Sequence, residues 1–157
     1  MLATGSNDST VKLWSIQDGS LIRILEWYDG PVLSVAFSPD GKVLASGSGE
    51  GTVILWSTQD GSLIRTLEGH EWHVNSVAFS PNSKVLASGS WDHTVKLWST
   101  KDGSLIRTLN GHYWNVISVV FSPDGKVLAS GSEDRKVKLW NTEDGSLIRS
   151  LEGHDYA

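Results

Sequence analysis

The sequence predicts an all-β fold, a stack of short-stranded blades of the propeller kind. Three observations predict it. Leu-Ala-Thr-Gly-Ser at Leu2 returns as Leu-Ala-Ser-Gly-Ser at Leu44, Leu86 and Leu128, a repeat of 42 residues. A period of about 40–45 residues holding four strand patterns is what one propeller blade needs. Within each unit, runs rich in β-branched and aromatic residues alternate with turn-forming Pro, Gly, Asp and Asn, and no window carries a sustained helical period.

The unit over residues 74–109 justifies each element in turn. Val74–Ser80 is a short β-branched and aromatic run, stopped by Pro81-Asn82-Ser83 where other units read Pro-Asp-Gly at Pro39 and Pro123. Pro presets φ, Gly supplies positive φ, and Asp bonds its own backbone, so this is turn chemistry. Lys84–Ser90 is a second strand, apolar and then small. A turn follows around Asp92, and Thr94–Trp98 alternates as a half-buried strand does. Asp102-Gly103 turns the chain again, and Ser104–Leu109 is the fourth strand. Strands of this length joined by tight turns read as an antiparallel meander.

One such sheet cannot bury both of its faces, and stacking copies buries them. Ala45 and Gly47, Ala87 and Gly89, and Ala129 and Gly131 in the second strands suit close approach of neighbouring sheets. The Leu, Ile, Val and Phe of the outer strands are expected to fill the space between blades.

Composition narrows the function classes. The 157 residues suit one domain, 1–157, and 39% apolar content supports a core. Net charge is −5, and Lys and Arg recur singly rather than as a basic stripe, which argues against nucleic acid. The chain has no cysteine, so thiolate catalysis and cysteine-ligated zinc are excluded. No apolar run approaches a membrane span of about 18 residues, and the first residues do not read as a signal peptide. A cytoplasmic protein with no membrane partner is the expectation.

Gly-His stands at Gly69-His70, Gly111-His112 and Gly153-His154, and Ser-Pro-Asp-Gly at Ser38–Gly41 and Ser122–Gly125. Ala-Ser-Gly-Ser, then an acidic turn residue, then Thr-Val-Lys-Leu-Trp or a near copy, follows in each unit. In order and spacing the chain resembles the WD-repeat (WD40) β-propeller family over essentially its whole length. Trp-Ser at Trp14, Trp56 and Trp98, and Trp-Asn at Trp140, replace the family's Trp-Asp ending. The resemblance implies a WD40-type propeller with three complete four-stranded antiparallel blades and a three-stranded N-terminal partial blade. It also implies a buried polar network joining His70, Ser88, Asp92 and Trp98 in one unit and His112, Ser130, Asp134 and Trp140 in the next. Repetition in every unit marks such a network as structural, since a satisfied polar network specifies packing. The unit around Val32–Trp56 has Tyr28 in the histidine column and Glu50 in the aspartate column, so its network is expected to be altered.

The blade count has an assembly reading. Propellers hold about four to eight blades, and this sequence supplies about half of a closed ring. Asp8 and Trp14 have no upstream histidine, and His154 has no blade after it. A homodimer closing one eight-bladed ring would pair His154 of one chain with Asp8 and Trp14 of the other. That ring would lack one inner strand per chain. A piece of a longer repeat protein is the rival reading.

The units scarcely differ in their strands, and the columns that do differ fall in two places. One flanks the turn aspartate, at Asn7 and Ser9, Gly49 and Gly51, Trp91 and His93, and Glu133 and Arg135. The other follows the Gly-His position, at Asp29-Gly30-Pro31, Glu71-Trp72-His73, Tyr113-Trp114-Asn115 and Asp155-Tyr156-Ala157. In a propeller both sets lie on one face. Loops tolerate change, but undirected change would affect both faces. The residues introduced include Trp27, Tyr28, Trp72, Trp91, Tyr113, Trp114 and Tyr156, and large aromatics with a polar handle anchor interfaces. The expected partner-binding face is therefore Trp27, Tyr28, Glu71, Trp72, His73, Trp91, His93, Tyr113, Trp114, Asn115, Arg135 and Tyr156, taking a protein or peptide. A lectin-like module, or a recently amplified or engineered array without an evolved ligand, are the alternatives. No column offers a nucleophile beside a base, paired carboxylates outside turns or a metal-ligand triad, so no enzyme, no cofactor and no metal are expected.

Overall fold

The computed structural model describes residues 1–26 and 30–155. Among these residues it is all-β, with fifteen strands and no helix. β1 (Leu2–Gly5), β2 (Thr10–Trp14) and β3 (Leu21–Glu26) form a three-stranded sheet. Three four-stranded sheets follow. The second blade is β4 (Val32–Phe37), β5 (Val43–Ser48), β6 (Val53–Ser57) and β7 (Leu63–Leu67). The third is β8 (Val74–Phe79), β9 (Val85–Ser90), β10 (Thr94–Ser99) and β11 (Leu105–Asn110). The fourth is β12 (Val116–Phe121), β13 (Val127–Ser132), β14 (Lys136–Asn141) and β15 (Leu147–Glu152). Every sheet is an antiparallel meander in sequence order.

Strand register repeats with the sequence. Trp98 pairs with Leu86 and Trp140 with Leu128, and each third strand bulges against its fourth just before the Trp. A bulge sharpens strand twist, as a radial stack requires.

The core consists of interfaces between blades. Ala87, Val95, Leu97 and Leu109 of the third blade pack against Val116, Val119, Leu128 and Trp140 of the fourth. Ala45, Val53, Leu55 and Leu67 meet Val74, Val77, Leu86 and Trp98 in the same columns. Val11, Leu13 and Leu25 meet Val32, Leu44 and Trp56. The second-strand glycines let the sheets approach this closely. A Cβ on Gly47 would stand 2.8 Å from a Val74 methyl, and one on Gly89 would stand 2.7 Å from a Val116 methyl.

One expectation is corrected. Of the outer-strand aliphatics, Leu25, Leu67 and Leu109 enter the interfaces, whereas the Leu-Ile pairs at Leu21, Leu63, Leu105 and Leu147 stand out toward solvent. The outer strand is the rim of its blade, and the first two residues of each rim strand extend beyond the reach of the next sheet.

Candidate functional site

The site is built on a constant frame. His70 Nδ1 lies 2.7 Å from Asp92 Oδ2 and its Nε2 2.7 Å from Ser88 Oγ, which accepts the Trp98 indole N–H at 2.8 Å. His112, Asp134, Ser130 and Trp140 repeat the arrangement, with all three distances at 2.8 Å. In both units Nδ1–H donates to the carboxylate and the serine oxygen accepts the Trp N–H, which leaves the serine hydroxyl to donate to Nε2. This tautomer is assigned from the partners. Burial pushes the His112 imidazole below its ordinary pKa, outweighing the pull of Asp134. Burial would raise the Asp92 carboxyl, but hydrogen bonds from His70 and Thr94 win and hold it well below the usual carboxylate range. In the second unit, where Glu50 stands in the aspartate column, the Trp56 indole still donates to Ser46 Oγ at 2.9 Å. In the first, Trp14 donates to Thr4 Oγ1 at 2.9 Å, and Asp8 Oδ1 takes Thr10. His154 is exposed.

The two variable loop sets meet on top of this frame. The Trp91 amide donates to the His73 carbonyl at 2.9 Å, and the Glu133 amide to the Asn115 carbonyl at 3.0 Å. Ser90 Oγ donates to the Trp72 carbonyl and Ser132 Oγ to the Trp114 carbonyl, at 2.9 and 3.0 Å. The Glu71 and Tyr113 amides donate to Asp92 and Asp134. His73 packs edge-on to Trp91 with ring centroids 4.5 Å apart, and its Nδ1–H reaches the Gly49 carbonyl.

Five of the sequence-predicted face residues, Glu71, Trp72, Trp91, His93 and Asn115, line one open cavity of about 370 Å³ with Asp92. Trp72, Trp114 and Tyr113 are 59%, 60% and 75% exposed, so these rings are free for contact. Trp114 and Tyr113 stand one blade on, outside that cavity. Asn115 Nδ2–H also donates to Glu133 at 2.9 Å. Arg135 lines a second groove, of about 270 Å³, with Ile117, Val137 and His154. Trp27, Tyr28 and Tyr156 lie outside the described residues. His93 and Arg135 sit at φ 68° and 64°, the position that Gly51 fills in the second unit. This is the left-handed residue that closes a three-residue hairpin loop.

Sequence reasoning missed Ser90 and Ser132 as the groups that tie down the Trp loops. Their signal was present, because this serine recurs in every unit at Ser6, Ser48, Ser90 and Ser132. Among the described residues no three His, Asp or Glu side chains cluster as metal ligands, and no helix is long and apolar enough to cross a membrane.

These sheets, this register and this polar network define a WD-repeat β-propeller. The family model described as the second β-propeller of echinoderm microtubule-associated protein matches residues 1–155, and the chain belongs to that WD-repeat propeller family. Curated relatives align over about one repeat unit. The mouse F-box-like/WD repeat-containing protein TBL1X is 57% identical over 42 residues, 27% of this chain and 8% of that protein. Nuclear distribution protein PAC1 of Coprinopsis cinerea is 51% identical over 41 residues, 26% of this chain and 9% of its own length. Eukaryotic translation initiation factor 3 subunit I of Aspergillus fumigatus is 43% identical over 44 residues, 28% of this chain and 13% of its own length. The chain thus matches well under two thirds of these relatives. A WD-repeat propeller is in general an interaction scaffold rather than an enzyme.

Proposed function

We propose that residues 1–157 form a single propeller domain, about half of a closed ring, that binds a protein or peptide on its variable face without catalysing a reaction. The observation that carries this reading is the side-by-side placement of exposed Trp72 and Trp91 around one cavity, with Trp114 and Tyr113 one blade further on. Indoles supply large apolar contact area and a polar N–H at low entropic cost, which is why Trp dominates interface hot spots. The polar groups beside them, Glu71, His93 and Asn115, would orient a peptide.

Panning a random peptide library against the intact chain, beside a glycan array, tests this. The expected outcome is peptides that bind the native chain and lose at least hundredfold in affinity to the combined W72S, W91S and W114S variant, whose circular dichroism stays native. Peptides that bind the variant equally well would refute the face. Glycans without peptides would favour a sugar-binding module, in which the same indoles stack on pyranose rings.

We also propose that the chain works as a homodimer forming one eight-bladed ring. The reading is supported by the repetition of one interface from blade to blade, since every complete blade carries both of its complementary halves. Light scattering tests it, with an expected mass of twice 17.1 kDa, and a monomer at every concentration overturns the ring.

A further inference from the structure

The third unit fills two variable columns with indoles around one space. Trp72 and Trp91 stand where the second unit has Gly30 and Gly49, and where the fourth has Trp114 and Glu133. Glu71 and Trp72 come from the loop before β8, Trp91, Asp92 and His93 from the β9–β10 turn, and Asn115 from the loop before β12. Together they enclose the open cavity of about 370 Å³. Small-ligand pockets hold about 300–1,000 Å³, so this one has room for a single long side chain rather than an extended run of sugars.

The side chains bordering this space suit a cation that carries only donors. Trp91 is held edge-on by His73, and Trp72 stands more exposed beside it. Aromatic rings attract cations to their faces, and indole does so most strongly. Asp92 brings a negative charge whose oxygens are already taken by His70, Thr94 and the Glu71 amide. The Glu71 carboxylate is exposed and has no hydrogen bond or ion pair among the described residues. Asn115 turns its amide nitrogen to Glu133, whose carboxylate can only accept, and this leaves Asn115 Oδ1 as an acceptor. Neither Lys nor Arg borders the cavity, and Arg135 lines the separate groove. The fourth unit differs at this point. Its columns pair one indole, Trp114, with the guanidinium of Arg135 in the place of His93. His93 and Arg135 share one backbone state, at φ 68° and 64°, so the frame accommodates either residue there.

We propose that this cavity binds the guanidinium of an arginine side chain presented by the partner. This inference rests on the peptide-face reading above and names the residue of the peptide that the third unit selects. A guanidinium is planar, stacks on aromatic rings and offers five N–H donors in a fixed fork that matches a carboxylate. Trp72 and Trp91 would flank it, Glu71 would take two N–H groups side by side, and Asn115 Oδ1 would take another. Asp92 would add attraction without a bond, because its oxygens are engaged. A lysine ammonium is a compact and more strongly hydrated charge that cannot fork onto Glu71, so it would bind less well. The net charge of −5 favours approach of a basic segment. In the fourth unit Arg135 supplies a guanidinium of its own, and the corresponding loops would not take a second one.

Titrating N-acetyl-arginine methylamide into the intact, nitrogen-15-labelled chain tests the proposal through the indole N–H resonances. The Trp72 and Trp91 signals are expected to move together and saturate, while that of Trp114 stays in place. The citrulline counterpart, equal in shape but uncharged, is expected to bind at least about tenfold more weakly. Glu71→Gln is expected to weaken the arginine probe about tenfold and leave the fold unchanged. His93→Arg, which copies the fourth unit, is expected to abolish binding with native circular dichroism. Citrulline bound as tightly as arginine, arginine bound as tightly by His93→Arg, or indole signals that never move up to the solubility of the probe would each overturn the site. Panned peptides that need Trp72 and Trp91 but tolerate exchange of every arginine for citrulline overturn the arginine site and leave the peptide face standing. A probe that behaves as expected, in a chain from which panning yields no peptide, supports the site and overturns the peptide face.

Discussion

Truncating the network hydroxyl in successive units should give a graded loss of stability. Ser88 is fully buried and serves two buried groups, the Trp98 indole and His70 Nε2. Ser88→Ala orphans both, and each unsatisfied buried group costs about 1–3 kcal/mol. The expected loss is about 2–6 kcal/mol, or roughly 4–24 °C in Tm for a chain of this size. Ser46 takes the Trp56 indole in a unit whose histidine column holds Tyr28, so Ser46→Ala should cost about 1–3 kcal/mol. Thr4 takes the Trp14 indole, which solvent partly reaches, so Thr4→Ala should cost about 1 kcal/mol or less in dilute monomer. Urea unfolding followed by circular dichroism measures all three. His70→Phe made with Ser88→Ala should cost less than the sum of the two single changes by at least about 1 kcal/mol, because the pair is removed together. Equal losses at Ser88, Ser46 and Thr4, or strict additivity with His70, would refute the view that this network is coupled and stabilising.

Stability should also depend on pH in two steps. The folded chain holds His112 below its ordinary value, so the unfolded chain binds the extra proton as pH falls below about 6.5. The contribution is complete above that pH and shrinks below it. Asp92 and Asp134, held down by their hydrogen bonds, give a second loss below about pH 4, when they are forced to protonate. Thermal melts between pH 8 and 3 read both, and stability that rises as pH drops from 7 to 5.5 would contradict the neutral imidazole. Gly89→Ala should cost about 1–3 kcal/mol by overpacking against Val116 and Val119, while Gly131→Ala, whose nearest neighbour is its own blade's Ser118 at 3.9 Å, should cost about 1 kcal/mol or less. Comparative urea midpoints decide it. Ser90→Ala should weaken any ligand of the Trp72 loop about tenfold and also lower Tm, since it leaves both the Trp72 carbonyl and the Asp92 amide without the Ser90 hydroxyl, at about 1–3 kcal/mol for each buried group. Faster amide exchange at residues 71–73 is the expected companion signal.

The architecture was legible because it is written four times. A strand reading that is ambiguous in one unit is fixed by its copies, and the strand over Val74–Phe79 fell within one residue of its expected end. The aliphatics of the rim were misplaced for the converse reason. Leu63 and Ile64 look like Leu67 in a period-2 pattern, but whether a neighbouring sheet extends far enough to cover them is a property of the stack. The convergence of Glu71, Trp72, Trp91 and Asn115 on one cavity, with Trp114 left outside it, likewise depends on the angle between blades. No column comparison contains that angle.

The constant and the variable residues also have a mechanical relation. In the third unit the loop backbone is fastened at three consecutive points: the Glu71 amide to Asp92, the Trp72 carbonyl to Ser90 and the His73 carbonyl to the Trp91 amide. In the fourth, Tyr113, Trp114 and Asn115 are fastened to Asp134, Ser132 and Glu133 by the same three bonds. All three use backbone atoms on the loop side, so none depends on which side chain the loop carries. The frame can therefore hold Glu-Trp-His in one unit and Tyr-Trp-Asn in the next without changing its own geometry. A loop held this way loses little freedom when it binds, and ordering costs of about 0.5–1.5 kcal/mol per immobilised side chain often decide between micromolar and tighter binding. In the proposed recognition role the histidine–aspartate network therefore acts through the loop backbone: Asp92 and Asp134 hold the loops from which Trp72, Tyr113 and Trp114 project.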